Sequence, residues 1–312
     1  MTIFKTLTGS HLYGLNTDTS DIDYLSVYLP DKKDIFGLNT KDFINLSTNK
    51  NTKNTVNDID EMSYSLKKYL KLLLKNNPNI IETLYSRGKN LITLDPIFEY
   101  LYINKNKIVS KKVYTTFLGY AKSQKDKLLN KSLRFNNLTK AIKDIEIKYN
   151  KLLNTKYKLT EEDSIYFNTI LKYYKGTKNN TNSFHKGMYL DEIYSLVLRE
   201  VNLYGWRVKT PEFTMYGLDL KFAYHLVRMV GEAKMLLEYG KIVYPIKGDL
   251  KTQIVDIREG KLNLNEILEL TDYYENEINK LYKTSWLINE PDYEWFNDWL
   301  IDVMMNYVKE MI

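Results

Sequence analysis

Asp21 and Asp23, with Ile22 between them, are the side chains of this 312-residue chain most suited to chemistry, and Gly9-Ser10 lies just upstream. Residues i and i+2 of a β-strand point to the same face. The two carboxylates would therefore project together, with Ile22 turned into the core behind them. Parallel carboxylates repel unless a positive charge lies between them, and a divalent cation held by oxygen ligands meets that need. A Gly-Ser turn offers backbone N–H groups and a hydroxyl, which suit a phosphate. Metal and phosphate at one place point to phosphoryl or nucleotidyl transfer. An Asp-x-Asp by itself is ordinary turn chemistry. Here it is embedded in an aliphatic and aromatic run over 22–29 that reads as a strand and is closed by Pro30-Asp31.

The elements that must position these residues can be read along the chain. Residues 3–8 read as a short strand or helix end leading into the Gly-Ser turn. The polar stretch Asn49 to Asn57 reads as a loop, and Asp58-Ile59-Asp60-Glu61-Met62 as the start of a strand or a strand-to-helix junction. Leu66, Tyr69, Leu70 and Leu73 recur at helical spacing within 63–75. Asn77-Pro78 then restarts a short helix with Asn as cap and Pro at its first position. Asp95-Pro96 punctuates the chain, and a domain boundary is expected there. Beyond it, helices are expected near 96–105, 110–130, 136–152, 160–175, 189–203, 218–239, 263–283 and 291–311. Asn/Thr/Ser-rich residues 176–187 and the Gly/Pro-containing stretch 204–217 read as loops.

The pattern Thr8-Gly9-Ser10, a ten-residue gap and Asp21-Ile22-Asp23 resembles the signature of the DNA polymerase β-like nucleotidyltransferase superfamily. The longer string from Gly9 to Pro30 resembles its RNA repair pathway DNA polymerase β branch. Asn77 to Leu84 and Lys221 to Arg228 are similar to that branch in the same order, so the likeness spans roughly residues 5–260. The resemblance implies an α+β fold. A small nucleotidyltransferase domain over 1–95, a mixed β-sheet with flanking helices, would precede a larger, mainly α-helical domain over 96–312. It also implies a third carboxylate on a neighbouring strand. Asp58 and Asp60 compete for that place, with Glu61 an outsider; Asp60 keeps the family's spacing to Tyr64 and the following helix. Asp60 at the start of a helix would also be favourable as a simple cap.

With that likeness, Asp21, Asp23 and Asp60 are expected to hold two Mg²⁺ ions (or Mn²⁺), with Asp60 helping to deprotonate the attacking hydroxyl. Gly9 would let the backbone approach the phosphates of an NTP, and Ser10 would donate to them. Lys221, His225, Arg228 and Glu232 fall within about 60° of one another on a helix, a polar stripe that could hold substrate phosphates. Glu232 and Arg228 are also spaced to pair at i, i+4. Glu82 and Asn77 admit a functional reading or a structural one. His11 reads as a phosphate or base contact or an exposed bystander, and Trp286, Trp295 and Trp299 as core aromatics.

Charge suggests the acceptor. Residues 101–158 carry 15 Lys+Arg and 3 Asp+Glu, whereas 266–312 carry 3 and 11. So polarised a chain, with a net charge of only +6, points to RNA on the basic segment, although a solvated lysine face would look the same. An RNA 3′ end is the favoured acceptor. A protein, tRNA or small-molecule hydroxyl is the alternative, and an inactive nucleotide- or RNA-binding module the non-enzymatic one. Cysteine is absent, which excludes disulfides, thiolate metal sites and cysteine nucleophiles. No apolar run suits a membrane span and Met1 to Thr8 has no signal-peptide layout, so a cytoplasmic location is expected.

Overall fold

The structure is a computed structural model that describes residues 1–18, 20–38, 40–48, 59–170, 184–203 and 218–310. The Asn49–Asn57 loop, the rival acid Asp58, the 204–217 loop and most of the 176–187 loop therefore lie outside the described residues. The fold is α+β: an N-terminal mixed sheet with helices, then a mainly helical region. By contacts the chain divides into two compact units, one of residues 1–121, 226–256 and 268–312, the other of residues 122–225 and 257–267. The first unit draws on both sides of the Asp95-Pro96 punctuation.

In the first unit, strands β1 (Thr2–Leu7), β2 (Ile22–Tyr28), β3 (Phe43–Asn45), β4 (Ile59–Ser65) and β5 (Leu91–Leu94) form one sheet in the order β3-β4-β2-β1-β5. β2 and β4 run parallel and the other pairs antiparallel. Phe4 of β1 is fully buried. It stacks on Phe98 at 3.8 Å and meets Tyr69 at 6.4 Å, joining the sheet to helix Leu66–Leu73 and to helix Pro96–Ile103. Ser63 to Ser65, expected to open a helix, complete β4. The helix starts at Leu66, where the Ser65 hydroxyl accepts the Lys68 N–H at 3.1 Å. Leu66, Tyr69, Leu70 and Leu73 are its buried face, as their spacing requires.

The expected helices 110–130 and 136–152 are one helix, Val113–Lys148, because Lys131 to Phe135 contains no Gly or Pro to break it. Helix Gly248–Arg258 was not foreseen, although buried Leu250, Ile254 and Ile257 carry its i, i+4, i+7 spacing. No helix of the described residues is long and apolar enough to cross a membrane. The second unit has its own core around Leu138, Ile145, Phe167, Leu190 and Ile193. Beside it, the Asp163 carboxylate accepts from the hydroxyls of Tyr149 (2.7 Å), Tyr157 (2.9 Å) and Thr160 (2.8 Å) and from the Thr160 N–H (2.8 Å). Burial works against its ionisation, yet these four donors hold its carboxyl below the usual range.

Candidate active site

The parallel pairing of β2 and β4 sets Asp23 directly opposite Asp60. Residues opposite one another in a ladder present their side chains on the same face, and Asp21 lies two residues before Asp23, so three carboxylates converge. Their oxygens lie within 4.8 Å of one another, and all three residues are half-buried. Three acids at such spacing repel one another in any medium. They are hard oxygen donors of the kind that suits Mg²⁺ or Mn²⁺, so the donor set fits the metal the resemblance implies.

Gly9 forms the adjoining wall. The expected Gly-Ser turn is a short helix, α1 (Gly9–Tyr13), tied to β2 by the Thr8 N–H, which donates to the Asp23 carbonyl at 2.9 Å. Gly9 has φ +60°, and a Cβ there would collide with the Asp23 carboxylate. Backbone conformation and close approach thus both demand glycine. Ser10 follows, half-buried. A cavity of about 750 Å³ opens beside the acids and is lined by Gly9, Asp23, Asp60, Tyr13 and Glu82 among others.

Beneath this cavity lies a second group of charges. α1 ends at Gly14, with φ +70°, against Pro245, and the Tyr13 carbonyl accepts the Ile246 N–H at 2.9 Å. The Tyr13 hydroxyl donates to Glu82 at 2.5 Å. Arg228 Nη1 donates to Glu82 at 2.6 Å and to both oxygens of Glu232 at 2.9 Å. Its guanidinium lies 3.9 Å from the centre of the Tyr13 ring, and the Tyr244 hydroxyl donates to Glu232 at 3.0 Å. Arg228, Glu82 and Glu232 are each 2% exposed or less, and Arg228 Nε is buried without a hydrogen-bond partner. Burial pushes the Glu232 carboxyl up, to about 8, against the pull of Arg228 and with the help of the Glu82 charge. One cation faces two acids here.

The stripe read from the sequence is thereby divided. Arg228 and Glu232 make the expected i, i+4 pair, but they are buried, not on an open polar face. Lys221 is exposed and His225 half-exposed, and both belong to the second unit. There the His225 ring lies 4.4 Å from that of Tyr224, over which Arg258 sits at 5.5 Å. Glu82, left open by the sequence, lines the cavity and anchors the buried cluster. Asn77 caps the helix Pro78–Ile81 by position without a side-chain bond. His11 is half-buried, with Nε2 buried and lacking a hydrogen-bond partner.

Trp286 is a correction: it is 65% exposed and not a core residue. Trp295 and Trp299 both stack on Tyr100, at 5.1 and 5.2 Å. In the basic segment, Lys107 lies 3.6 Å from the Trp295 ring centre, and Lys112 pairs with Glu290 at 2.7 Å. Tyr13, Tyr244, Asn45, Met62 and Tyr64 escaped the sequence reading as site residues, and among so many tyrosines only the period-2 spacing of Asp60, Met62 and Tyr64 could have singled any of them out.

A protein of Enterobacteria phage T4, described as an uncharacterized 38.9 kDa protein in the nrdC-mobD intergenic region, is 26% identical over 300 residues, covering 87% of this chain and 86% of the phage protein. No solved structure matches the chain. The model of the RNA repair pathway DNA polymerase beta family matches residues 1–302, further than the motifs alone reach. With the match running from the first residue into the helix Tyr293–Glu310, the chain belongs to the RNA repair pathway DNA polymerase beta family, whose members are polymerase β-like nucleotidyltransferases.

Proposed function

We propose that the chain moves a nucleoside monophosphate from an NTP to a hydroxyl, an RNA 3′ end for preference, and releases pyrophosphate. The observation that carries this is the in-register pairing of Asp23 with Asp60, with Asp21 beside them and Gly9 drawn against the Asp23 carboxylate. Asp21, Asp23 and Asp60 would hold the divalent ions, Mg²⁺ or Mn²⁺, which supply charge neutralisation at the phosphates and activation of the acceptor oxygen. Gly9 leaves room for phosphate oxygens, and Ser10 offers its N–H and hydroxyl to them. Lys221 and His225 are the proposed cationic and polar contacts of the helical region. Arg228 serves differently: buried between two acids, it fixes Glu82 and Tyr13 and through them the wall of the cavity. Functionally, residues 1–95 would form the catalytic domain and 96–312 the helical domain that meets the acceptor. The basic segment 101–158 supports RNA, since phosphate contacts by lysines are sequence-independent and salt-sensitive.

The test is incubation with labelled NTPs, Mg²⁺ or Mn²⁺, and separate RNA, protein and small-molecule pools. Label is expected on RNA, at its 3′ end; label on protein alone would sink the RNA acceptor and leave the donor chemistry. Activity surviving in an Asp21→Ala/Asp23→Ala variant would falsify the metal assignment.

A further inference from the structure

The cavity beside the acids continues along the same face of the sheet, and its far end has a different character. Asp60, Met62 and Tyr64 are residues i, i+2 and i+4 of β4 and so share a face. Across the antiparallel ladder, Asn45 is the partner of Met62 and Phe43 the partner of Tyr64. Met62 is 41% exposed although β4 is an interior strand. Phe43 is 44% exposed, and its ring lies 5.2 Å from that of Tyr64. An apolar platform thus stands open next to a group of acids, where folding alone would favour covering it. A polar edge borders it: Asn45 Oδ1 accepts the Ser47 N–H at 2.9 Å, which leaves the amide NH₂ as what Asn45 can offer. Among the described residues, no lysine or arginine lines this cavity.

We propose that Asn45, Met62 and Tyr64 seat the nucleobase of the NTP, an inference that rests on the nucleotidyl-transfer reading and adds to it where the base goes. Met62 lies one same-face step from Asp60, about 7 Å along the strand, comparable to the span that a ribose puts between a phosphate and its base. Set apart from the carboxylates that would hold the metal-bound triphosphate, this apolar end suits a neutral, flat ring. Apolar and aromatic side chains cover the π-face that every base has. The Asn45 NH₂ meets an acceptor on the base edge, a carbonyl oxygen or a ring nitrogen.

The experiment is calorimetric titration of the full chain, without RNA, with Mg²⁺ and either non-hydrolysable α,β-methylene analogues of the four NTPs or inorganic tripolyphosphate. At least one NTP analogue is expected to bind about tenfold or more tighter than tripolyphosphate. Asn45→Ala/Met62→Ala should lose most of that preference while keeping its affinity for tripolyphosphate and its melting temperature, and Met62→Leu should retain the preference. The single Asn45→Ala change, at an exposed position, gives a reduced loss if the double variant folds poorly. A wild-type chain that holds NTP analogues no tighter than tripolyphosphate, or a folded double variant that keeps the preference, overturns the seat. In either case, loss of tripolyphosphate binding in Asp23→Asn would leave the phosphate and metal site standing. A wild-type chain that binds neither ligand overturns the seat and the nucleotidyl-transfer reading together.

Discussion

Two groups of charges lie on either side of one cavity wall and are built on opposite principles. Asp21, Asp23 and Asp60 are three like charges brought together and left half-exposed. Arg228, Glu82 and Glu232 are opposite charges, buried and bonded to one another, with two tyrosine hydroxyls completing the set. The first group gathers like charges and the second opposite ones. Folding stability gains nothing from gathering carboxylates, whereas a buried arginine survives only if it is paired. On the function proposed above, the contrast separates a group held for an incoming ligand from a group held for the fold.

Removing an acid from the first group should therefore harm activity and spare the fold. Asp23→Asn is expected to lower nucleotidyl transfer at least about 10³-fold, as losses of direct transition-state stabilisation do. Its melting temperature should hold or rise, because a repulsion is relieved; a marked fall in thermal denaturation would break the contrast. Arg228→Met should do the reverse and destabilise the chain by about 3–5 kcal/mol, read by urea denaturation. Adding Glu82→Gln and Glu232→Gln to Arg228→Met should recover much of that loss, since no buried charge is then left unpaired.

The pH dependence sharpens the comparison further. The Glu232 carboxyl is raised in the folded chain to about 8, so the folded state binds a proton that the unfolded state has released. Its contribution is full below the ordinary carboxylate range and is lost as pH rises toward 8. Denaturant midpoints should fall across that window, and less so in Glu232→Gln. Asp163 in the helical unit has the opposite sign. Its carboxyl is lowered, so its contribution is present at neutral pH and lost only as acid protonates it, and Asp163→Asn should flatten the acid limb. The smallest effect belongs to Tyr13→Phe, which removes one hydroxyl bond to Glu82. About 1.5–3 kcal/mol of stability should go, since the acceptor is a buried carboxylate, with a fall in kcat/KM because both residues line the cavity.

Legibility in the sequence followed the range of the interaction. The strand at 22–29 and the helix bearing Leu66, Tyr69, Leu70 and Leu73 were readable because their periodicity is local. The short strand β5 was not, for want of length, and the helix Gly248–Arg258 went unread although Leu250, Ile254 and Ile257 carry its spacing. Met62 could not be recognised as exposed, because an apolar residue on an interior strand reads as core. The Arg228–Glu82 bond joins residues 146 apart, and no spacing rule reaches so far.

The sequence by itself determined that Asp21 and Asp23 lie two residues apart where a strand begins, that a glycine precedes them, that no cysteine chemistry is available, and that mostly helices follow beyond Asp95-Pro96. These follow from residue type and from periods of two or 3.6 residues. Only the tertiary structure decided that Asp60 stands opposite Asp23, that Gly9 is pressed against its carboxylate, and that Arg228 is buried instead of facing a cleft. Strand register and burial depend on which distant segments pack together, and that is a property of the folded chain as a whole.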